Sequence, residues 1–396
     1  MRPGEFELEV TGLAVGGDGV GRDENGRVAF VAGALPGERV LAVVRREHRR
    51  YAHAELAEVL RASPERAAPP CPEVGRGCGG CGLQHAALAA QRRWKQELVA
   101  GSLRRLGGVE APVGEGPPLE AFGFRTTLRM LVQDGRAAFR RARGHDPVVV
   151  ESCLVAHPLL VELVEEGRFG AAAEVTLRAG ARTGDRLAVL DPSAGGASLP
   201  AGVVAVGAAE LTGGRRVHYH EQAAGRRWRI SARAFFQSRA DGADALVDTA
   251  RDALGGGDGA GRRLLDAYAG VGLLSAAWPA AELHAIESNA DAAADAALNL
   301  ADRGAVVTHG RVERSRPAPV DAVIADPARS GLGREGADAV AAAAPDTIAL
   351  VSCDAASLGR DVGLLAERGY ALDWCRLVDL FPHTPHVEVV SRLVRR

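Results

Sequence analysis

The chain has 396 residues with 48 basic and 50 acidic side chains, a formal charge of −2, so it offers no bulk attraction to nucleic acid and any such binding must come from local patches. It is too long for one ordinary core, which implies two or three domains, and no apolar run approaches the roughly 20 residues of a membrane span. The start, MRPGEFELEV, lacks a basic region followed by an apolar core, so the expectation is a cytoplasmic monomer with no membrane partner.

Residues 1–62 read as short strands. Phe6, Leu8 and Val10 alternate with Glu5, Glu7 and Glu9, the period-2 pattern of a strand with one buried face. Glycine-rich turns separate it from strand-like Val28 to Ala32, Val40 to Val44 and Ala52 to Leu60. About five short strands in this length suggest a small barrel of the OB type, a fold that grips oligonucleotides. The cluster Arg45, Arg46, His48, Arg49, Arg50 is either a set of phosphate contacts or a solvated charged loop.

Ser63 to Pro72 is a proline-rich linker. CPEVGRGCGGCGLQH follows, with Cys71, Cys78 and Cys81 spaced x6 then x2 and glycines that let the backbone wrap closely. Three thiolates need a fourth ligand, and Cys153 is the one cysteine left outside the C-terminal third. A sulfur-only set suits zinc or an iron–sulfur cluster, and spacing does not choose between them. Ala86 to Leu106 reads as a helix closed by Gly107 and Gly108. Strand-like runs at Thr127 to Val132, Glu174 to Arg178, Arg186 to Leu190 and Arg227 to Ser231, with a helix near 157–166, give residues 63–230 an α+β character.

Residues 231–396 read as an α/β unit. A strand through Leu264 and Leu265 ends in Asp266, turns through Gly270 and Gly272, and leads into helix-like LLSAAW. Ser275 stands where a dinucleotide fingerprint has its third glycine. A second strand, Glu282 to Ile286, ends in Glu287, about 20 residues on, where a carboxylate can accept both ribose hydroxyls. These features fit S-adenosylmethionine better than NAD. Asp321 to Ile324 is a third strand, ending at Asp326 on a backbone stiffened by Pro327. The apolar run Ile348 to Val351 reads as a buried strand that delivers Cys353 to the sheet's carboxyl edge, where open α/β sheets bind ligands. Glu388 lies among apolar residues, where burial raises a carboxyl's pKa and suits it to proton transfer. Cys375 reads as a core residue.

In order, CGGCGLQH, FFQSR, LLDAYAGVG, AIESN, DPARSG, VSCDAASLGRD and FPHTPHVE, after the glycine-punctuated first domain, resemble the RNA uracil-C5 (5-methyluridine) methyltransferases over essentially the whole chain. The resemblance implies an N-terminal TRAM barrel, a central α+β domain and a Rossmann-like catalytic domain. It implies a 4Fe-4S cluster on Cys71, Cys78, Cys81 and Cys153, S-adenosylmethionine held by Gln237, Tyr268, Glu287 and Asp326, Cys353 as nucleophile and Glu388 as proton-removing base. It also implies that residues 85–115 pack on the catalytic domain, and that the partner is RNA, 23S ribosomal RNA before transfer RNA, and not DNA. The chain departs from the family pattern at Ala328, Asp354, Ala355, Ser357, Arg239 and Arg311. Asp354 stands out, because a negative charge beside the nucleophile raises a thiol's pKa; Arg329 or Arg360 could offset it. Two rival readings are an RNA-binding protein of this architecture without turnover and a methyltransferase acting on nitrogen.

Overall fold

The computed structural model describes residues 4–257 and 259–396; the first three residues of the acidic start lie outside the described residues. Strands β1 (Glu5–Leu13), β2 (Gly19–Arg22), β3 (Val28–Ala32), β4 (Arg39–Glu47) and β5 (Tyr51–Arg61) close a barrel in the order β1-β2-β3-β5-β4. The alternation predicted from sequence sends Leu8, Val10, Ala29, Val31, Val40, Ala42 and Ala54 into its core. The barrel has no room for a side chain at Gly21, where a Cβ would lie 2.3 Å from the Glu9 carbonyl oxygen.

The segment 63–72 is docked rather than loose. Buried Glu38 accepts hydrogen bonds from the Arg66 guanidinium and the Leu35 N–H, and Leu35 packs on Ala86, Ala90 and Trp94. Helix α1 (Pro72–Gly75) and the long helix α2 (Leu88–Gly107) follow, the latter ending at Gly108 in the left-handed region, φ 64°.

Strand β6 (Val113–Glu115) leaves the neighbouring central unit and becomes the edge of the C-terminal sheet. The central sheet holds β7 (Thr127–Gln133), β8 (Arg136–Arg140), β9 (Pro147–Val149), β10 (Glu174–Ala179), β11 (Arg186–Asp191) and β12 (Val203–Gly207), in the order β12-β11-β10-β7-β8-β9. Helix α3 (Pro158–Glu166) covers it through Leu160, Leu163 and Val164. Helix α4 (Ala208–Thr212) leads to a hairpin, β13 (His218–Ala223) and β14 (Arg226–Ser231), whose Tyr219, Trp228 and Ile230 share a core with α5 (Ala240–Ala253).

The last unit contains β15 (Arg263–Asp266), β16 (Glu282–Glu287), α6 (Ala290–Asn299), β17 (Val306–His309), β18 (Ala322–Ala325), α7 (Gly333–Ala342), β19 (Thr347–Ser352), α8 (Ala355–Ala366), β20 (Tyr370–Leu377) and β21 (Val389–Arg395). Its eight strands run β17-β16-β15-β18-β19-β21-β20-β6, parallel through β19, with β21 antiparallel to β19. LLSAAW forms a single 3-10 turn, Leu274–Ala277, instead of the expected helix. Helix α2 packs on this unit, sending Val99 and Leu103 into the same core as Leu358 and Val362 of α8. Both α2 and β6 precede the central sheet in sequence, so the catalytic unit is discontinuous in the chain.

Candidate active site

The sheet order explains how residues scattered over 120 positions come together. Reading across the carboxyl edge, β16 ends in Glu287, β15 in Asp266, β18 runs into Asp326 and β19 into Cys353. Next to β19, antiparallel β21 begins just after Glu388. Ser352 pairs with Val389 across β19 and β21, so the register continued by one residue sets Cys353 opposite Glu388. Directly opposed residues of an antiparallel pair emerge on one face, with Cβ atoms about 5 Å apart.

The electrostatics agree with that placement. Burial, then the charges of Glu388 and Asp326, together push the Cys353 thiol up to about 11, with Arg329 opposing them. Glu388 is held well above the usual carboxylate range by burial and then by Asp326. Asp326 is raised by loss of water and by Asp266. Asp354, the expected perturber, borders the same cavity as Cys353, but its carboxylate caps α8, accepting from the Ser357 N–H at 2.8 Å. Arg360 donates to the Ser357 hydroxyl at 3.1 Å, which leaves Arg329 as the cation acting on the thiol.

A cavity of about 230 Å³ opens onto Cys353, walled by Val15 and Gly16 of the barrel, Leu98 of α2, Arg329, and the loop Pro385 to Val387. A second cavity, of about 390 Å³, lies on the other side of the Asp326 to Gly331 loop, which forms the partition: Pro327, Ala328, Ser330 and Gly331 face the second cavity and Arg329 the first. Helix α8 holds this loop in place. Ser357 donates to the Arg329 carbonyl at 2.7 Å, and Asp361 accepts from the N–H groups of Leu332 at 2.8 Å and Gly333 at 3.1 Å. Gly331 has φ +79°, and a Cβ there would lie 2.2 Å from the Asp361 carboxylate.

The second cavity takes in Tyr268 and Glu287 from the expected cofactor set. Glu287 is fixed by the Gly270 N–H at 2.9 Å on one oxygen and by the Asn289 N–H at 2.5 Å on the other. Tyr268 donates to Glu313 at 3.1 Å, and Arg311 pairs with Glu313 at 3.4 Å. Glu313, which no sequence motif singles out, thus brings a carboxylate to this cavity beside Tyr268 and Arg311. Gln237, Asp266, Gly270, Gly272 and Asp326, of the same expected set, do not line this cavity. Asp266 is buried beneath it, accepting from the Ser275 hydroxyl at 2.7 Å, and burial pushes its carboxyl up to about 7. Gly270 anchors Glu287, and Gly272, at φ +97°, admits Leu300, whose Cδ1 would lie 2.8 Å from an added Cβ. Gln237 is buried between β14 and α5.

Cys71, Cys78, Cys81 and Cys153 line one further cavity of about 270 Å³, with Arg125, Thr384 and His386. Burial pushes Cys78 and Cys81 up to about 11 and raises Cys153 too, and the other thiols of the set add to each shift. Among the described residues no three His, Cys, Asp or Glu side chains are grouped so as to hold one metal ion. His386 belongs to this cavity and to the Cys353 cavity alike, so the two share a wall.

The 379–388 loop that carries Glu388 is gripped from α2. Lys95, the chain's only lysine and fully buried, pairs with Asp379 at 2.6 Å and donates to the Phe381 carbonyl at 2.8 Å, while the Gln91 amide oxygen accepts from the His383 N–H at 2.7 Å. Arg239, which departs from the family's motif, is likewise fully buried; it pairs with Asp241 at 2.6 Å, donates to the Glu120 carbonyl at 2.9 Å and stacks on Phe124 at 4.2 Å.

A Rossmann-like sheet with a ligand cavity and a thiol at its carboxyl edge, preceded by a five-stranded barrel, defines the class: a methyltransferase dependent on S-adenosylmethionine with an appended nucleic-acid-binding module. Residues 4–57 match the TRAM domain family. An uncharacterized RNA methyltransferase of Streptomyces avermitilis is 36% identical, the match covering 98% of each chain. The 23S rRNA (uracil(1939)-C(5))-methyltransferase of Chromohalobacter salexigens is 33% identical over 98% of this chain and 89% of its own. The tRNA (uracil-54, C5)-methyltransferase of Pyrococcus abyssi, solved with S-adenosyl-L-homocysteine, shares the fold over 98% of this chain and 99% of that one, with a TM-score of 0.72 at 23% identity. The chain belongs to the RNA uracil-C5 methyltransferase family. No helix among the described residues is long and apolar enough to cross a membrane.

Proposed function

We propose that the protein methylates C5 of a uridine in ribosomal RNA, with transfer RNA as the second substrate class, through a covalent bond between Cys353 and C6 of the base. The observation that supports this reading is the β19–β21 register, by which the thiol and a buried carboxyl face each other at one edge of the sheet. The uracil C5 carbon is a poor nucleophile. When the Cys353 thiolate adds at C6, the ring electron pair moves onto C5 and O4 as an enolate. What S-adenosylmethionine supplies when bound is a sulfonium methyl that C5 can take. Glu388 then removes the C5 proton, the C5–C6 double bond re-forms and the thiolate leaves. A carboxyl with a raised pKa is a stronger proton acceptor than an ordinary carboxylate.

Tyr268, Glu287 and Glu313, which line the second cavity, would hold the cofactor, with Glu287 placed to accept from ribose hydroxyls. The partition loop brings Asp326 between that cavity and the thiol. Base flipping into the Cys353 cavity costs a few kcal/mol, about least for a loop uridine, so unpaired uridines are the preferred targets.

The four-thiol cavity fits a 4Fe-4S cluster on Cys71, Cys78, Cys81 and Cys153. Bound iron would supply charge that keeps four buried sulfurs deprotonated, and the residues would thereby tie the 71–81 segment to the loop after β9.

RNA carrying 5-fluorouridine at the target, which has no C5 proton to lose, tests the mechanism. Wild-type protein with S-adenosylmethionine should form an adduct that survives denaturation, and Cys353→Ala should form none; equal behaviour of the two would overturn the covalent route. Methyl label found on an exocyclic nitrogen, with activity surviving Cys353→Ala, would support the nitrogen-methylating alternative.

A further inference from the structure

The chain between β20 and β21 closes on itself, because the Val378 N–H donates to the Glu388 carbonyl at 2.8 Å, and residues 379–387 between them lie in no strand or helix. This segment has two duties. Pro385, His386 and Val387 wall the Cys353 cavity, and the chain then passes through Glu388 into β21. Where the segment lies therefore decides where the Glu388 carboxyl meets a bound base.

Its position is imposed by α2. The Lys95 ammonium donates to Asp379 at 2.6 Å and to the Phe381 carbonyl at 2.8 Å, and the Arg92 Nε donates to the other Asp379 oxygen at 3.2 Å. One turn earlier, the Gln91 amide oxygen accepts from the His383 N–H at 2.7 Å, while its nitrogen donates to the Leu83 and Ala86 carbonyls at 3.0 and 2.8 Å. His383 has φ 66°, in the left-handed region, and is fixed on its other side by the Leu83 N–H, which donates to its carbonyl at 2.8 Å. A non-glycine residue keeps such a backbone only where its surroundings over-determine it. Three residues beyond Lys95, Leu98 lines the Cys353 cavity itself.

Stability does not account for a lysine at this place. Lys95 is fully buried and Asp379 nearly so, and its neighbours Trp94 and Val99 are apolar core residues of the same helix. A buried ion pair commonly does no better than well-packed apolar side chains of similar volume, since both charges give up their hydration. What an apolar side chain at 95 could not do is hold a carboxylate and a main-chain carbonyl, two residues apart on the loop, at fixed distances.

We propose that Lys95, with Gln91, is a positioning residue for proton removal: it holds the 379–388 loop so that Glu388 meets the C5 hydrogen of the base bound to Cys353. The thiol stands at the end of β19, outside this grip, so its addition depends on Lys95 less than proton removal does. The proposal rests on the covalent reading given above.

The test uses full-length protein, substrate RNA and S-adenosylmethionine. Lys95→Met removes the charge and the donor and leaves Asp379 with Arg92 alone; Lys95→Met/Asp379→Leu removes the buried pair together. The double variant should melt close to wild type yet accumulate a methylated protein–RNA adduct, resolved about tenfold to a hundredfold more slowly, the effect of an ångström or so of misplacement. Lys95→Met should accumulate the same adduct and melt lower. Alkylation of Cys353 should stay within about twofold of wild type in both, because its thiolate fraction is set elsewhere. Resolution at the wild-type rate in the double variant would overturn the proposal, because a merely structural pair is restored by removing both charges. Hydrogen exchange tests the grip apart from the chemistry: the His383 and Thr384 amides should exchange about tenfold or more faster in both variants, and unchanged exchange would also overturn it. If wild type forms no adduct with 5-fluorouridine RNA, the covalent mechanism fails while exchange still decides whether α2 holds the loop.

Discussion

Two cavities that share His386 as a wall hold all the thiols of interest, and their neighbours make them different sites. In the four-cysteine cavity, burial and mutual repulsion push Cys78, Cys81 and Cys153 up, and Arg125, itself disfavoured by burial, opposes the shift at Cys81 and Cys153. Such a set is relieved by a multivalent metal centre that binds all the sulfurs at once. Cys353 stands alone among carboxyls, with Arg329 at its side and an open cavity before it. A lone thiol beside a base and a cation is arranged for reversible bond formation. On the proposed reading the same side chain would be a ligand in one place and a nucleophile in the other, according to what surrounds it.

The comparison breaks most sharply at the nucleophile. Cys353→Ala should lower methyl incorporation into RNA by roughly a thousandfold or more, with melting temperature and iron content unchanged. The reciprocal change, Cys81→Ala, should abolish bound iron and lower the melting temperature while the protein still retains Cys353 reactivity toward alkylating agents. Equal iron content in Cys81→Ala and wild type would contradict the assignment of that cavity. A smaller effect is expected for the cation. Because the Cys353 thiol sits near 11, the thiolate fraction grows as pH rises, so its alkylation rate should increase about tenfold per pH unit between pH 7 and 9. Arg329→Gln removes the group that opposes this shift, and should slow alkylation several-fold at pH 8 as read by peptide-resolved mass spectrometry. The smallest effect belongs to Asp354→Ala. Loss of the α8 cap should cost about 1 kcal/mol of stability. A change of more than twofold in Cys353 alkylation would show that Asp354 acts on the thiol directly.

The barrel and the parallel strands could be read from sequence because alternation and apolar runs are local signals. Strand ends in such sheets also point to ligands, which is why Cys353, Glu287 and Asp326 stood out. What the pattern could not supply was strand order. Antiparallel β21 beside β19, and β6 at the far edge, are long-range pairings that leave no local periodicity. Side-chain direction was equally hidden. Asp354 adjoins the nucleophile in the chain yet caps a helix, and Gly270 and Gly272 shape the backbone beneath the cofactor cavity. Glu313 escaped notice because it stands in no pattern with its own mechanical meaning, and His386, though part of FPHTPHVE, gains its place as a shared cavity wall only from the loop opposite. The lone lysine, Lys95, buried on α2, is made intelligible by its partner Asp379, 284 positions away.

The central claim is that Cys353 and Glu388 act on the same pyrimidine ring. Glu388→Gln, given ordinary substrate RNA and S-adenosylmethionine, tests it directly by intact mass. The account predicts a stable protein–RNA adduct carrying one added methyl group, absent from Cys353→Ala/Glu388→Gln. Unbound, methylated RNA released at the wild-type rate would contradict it.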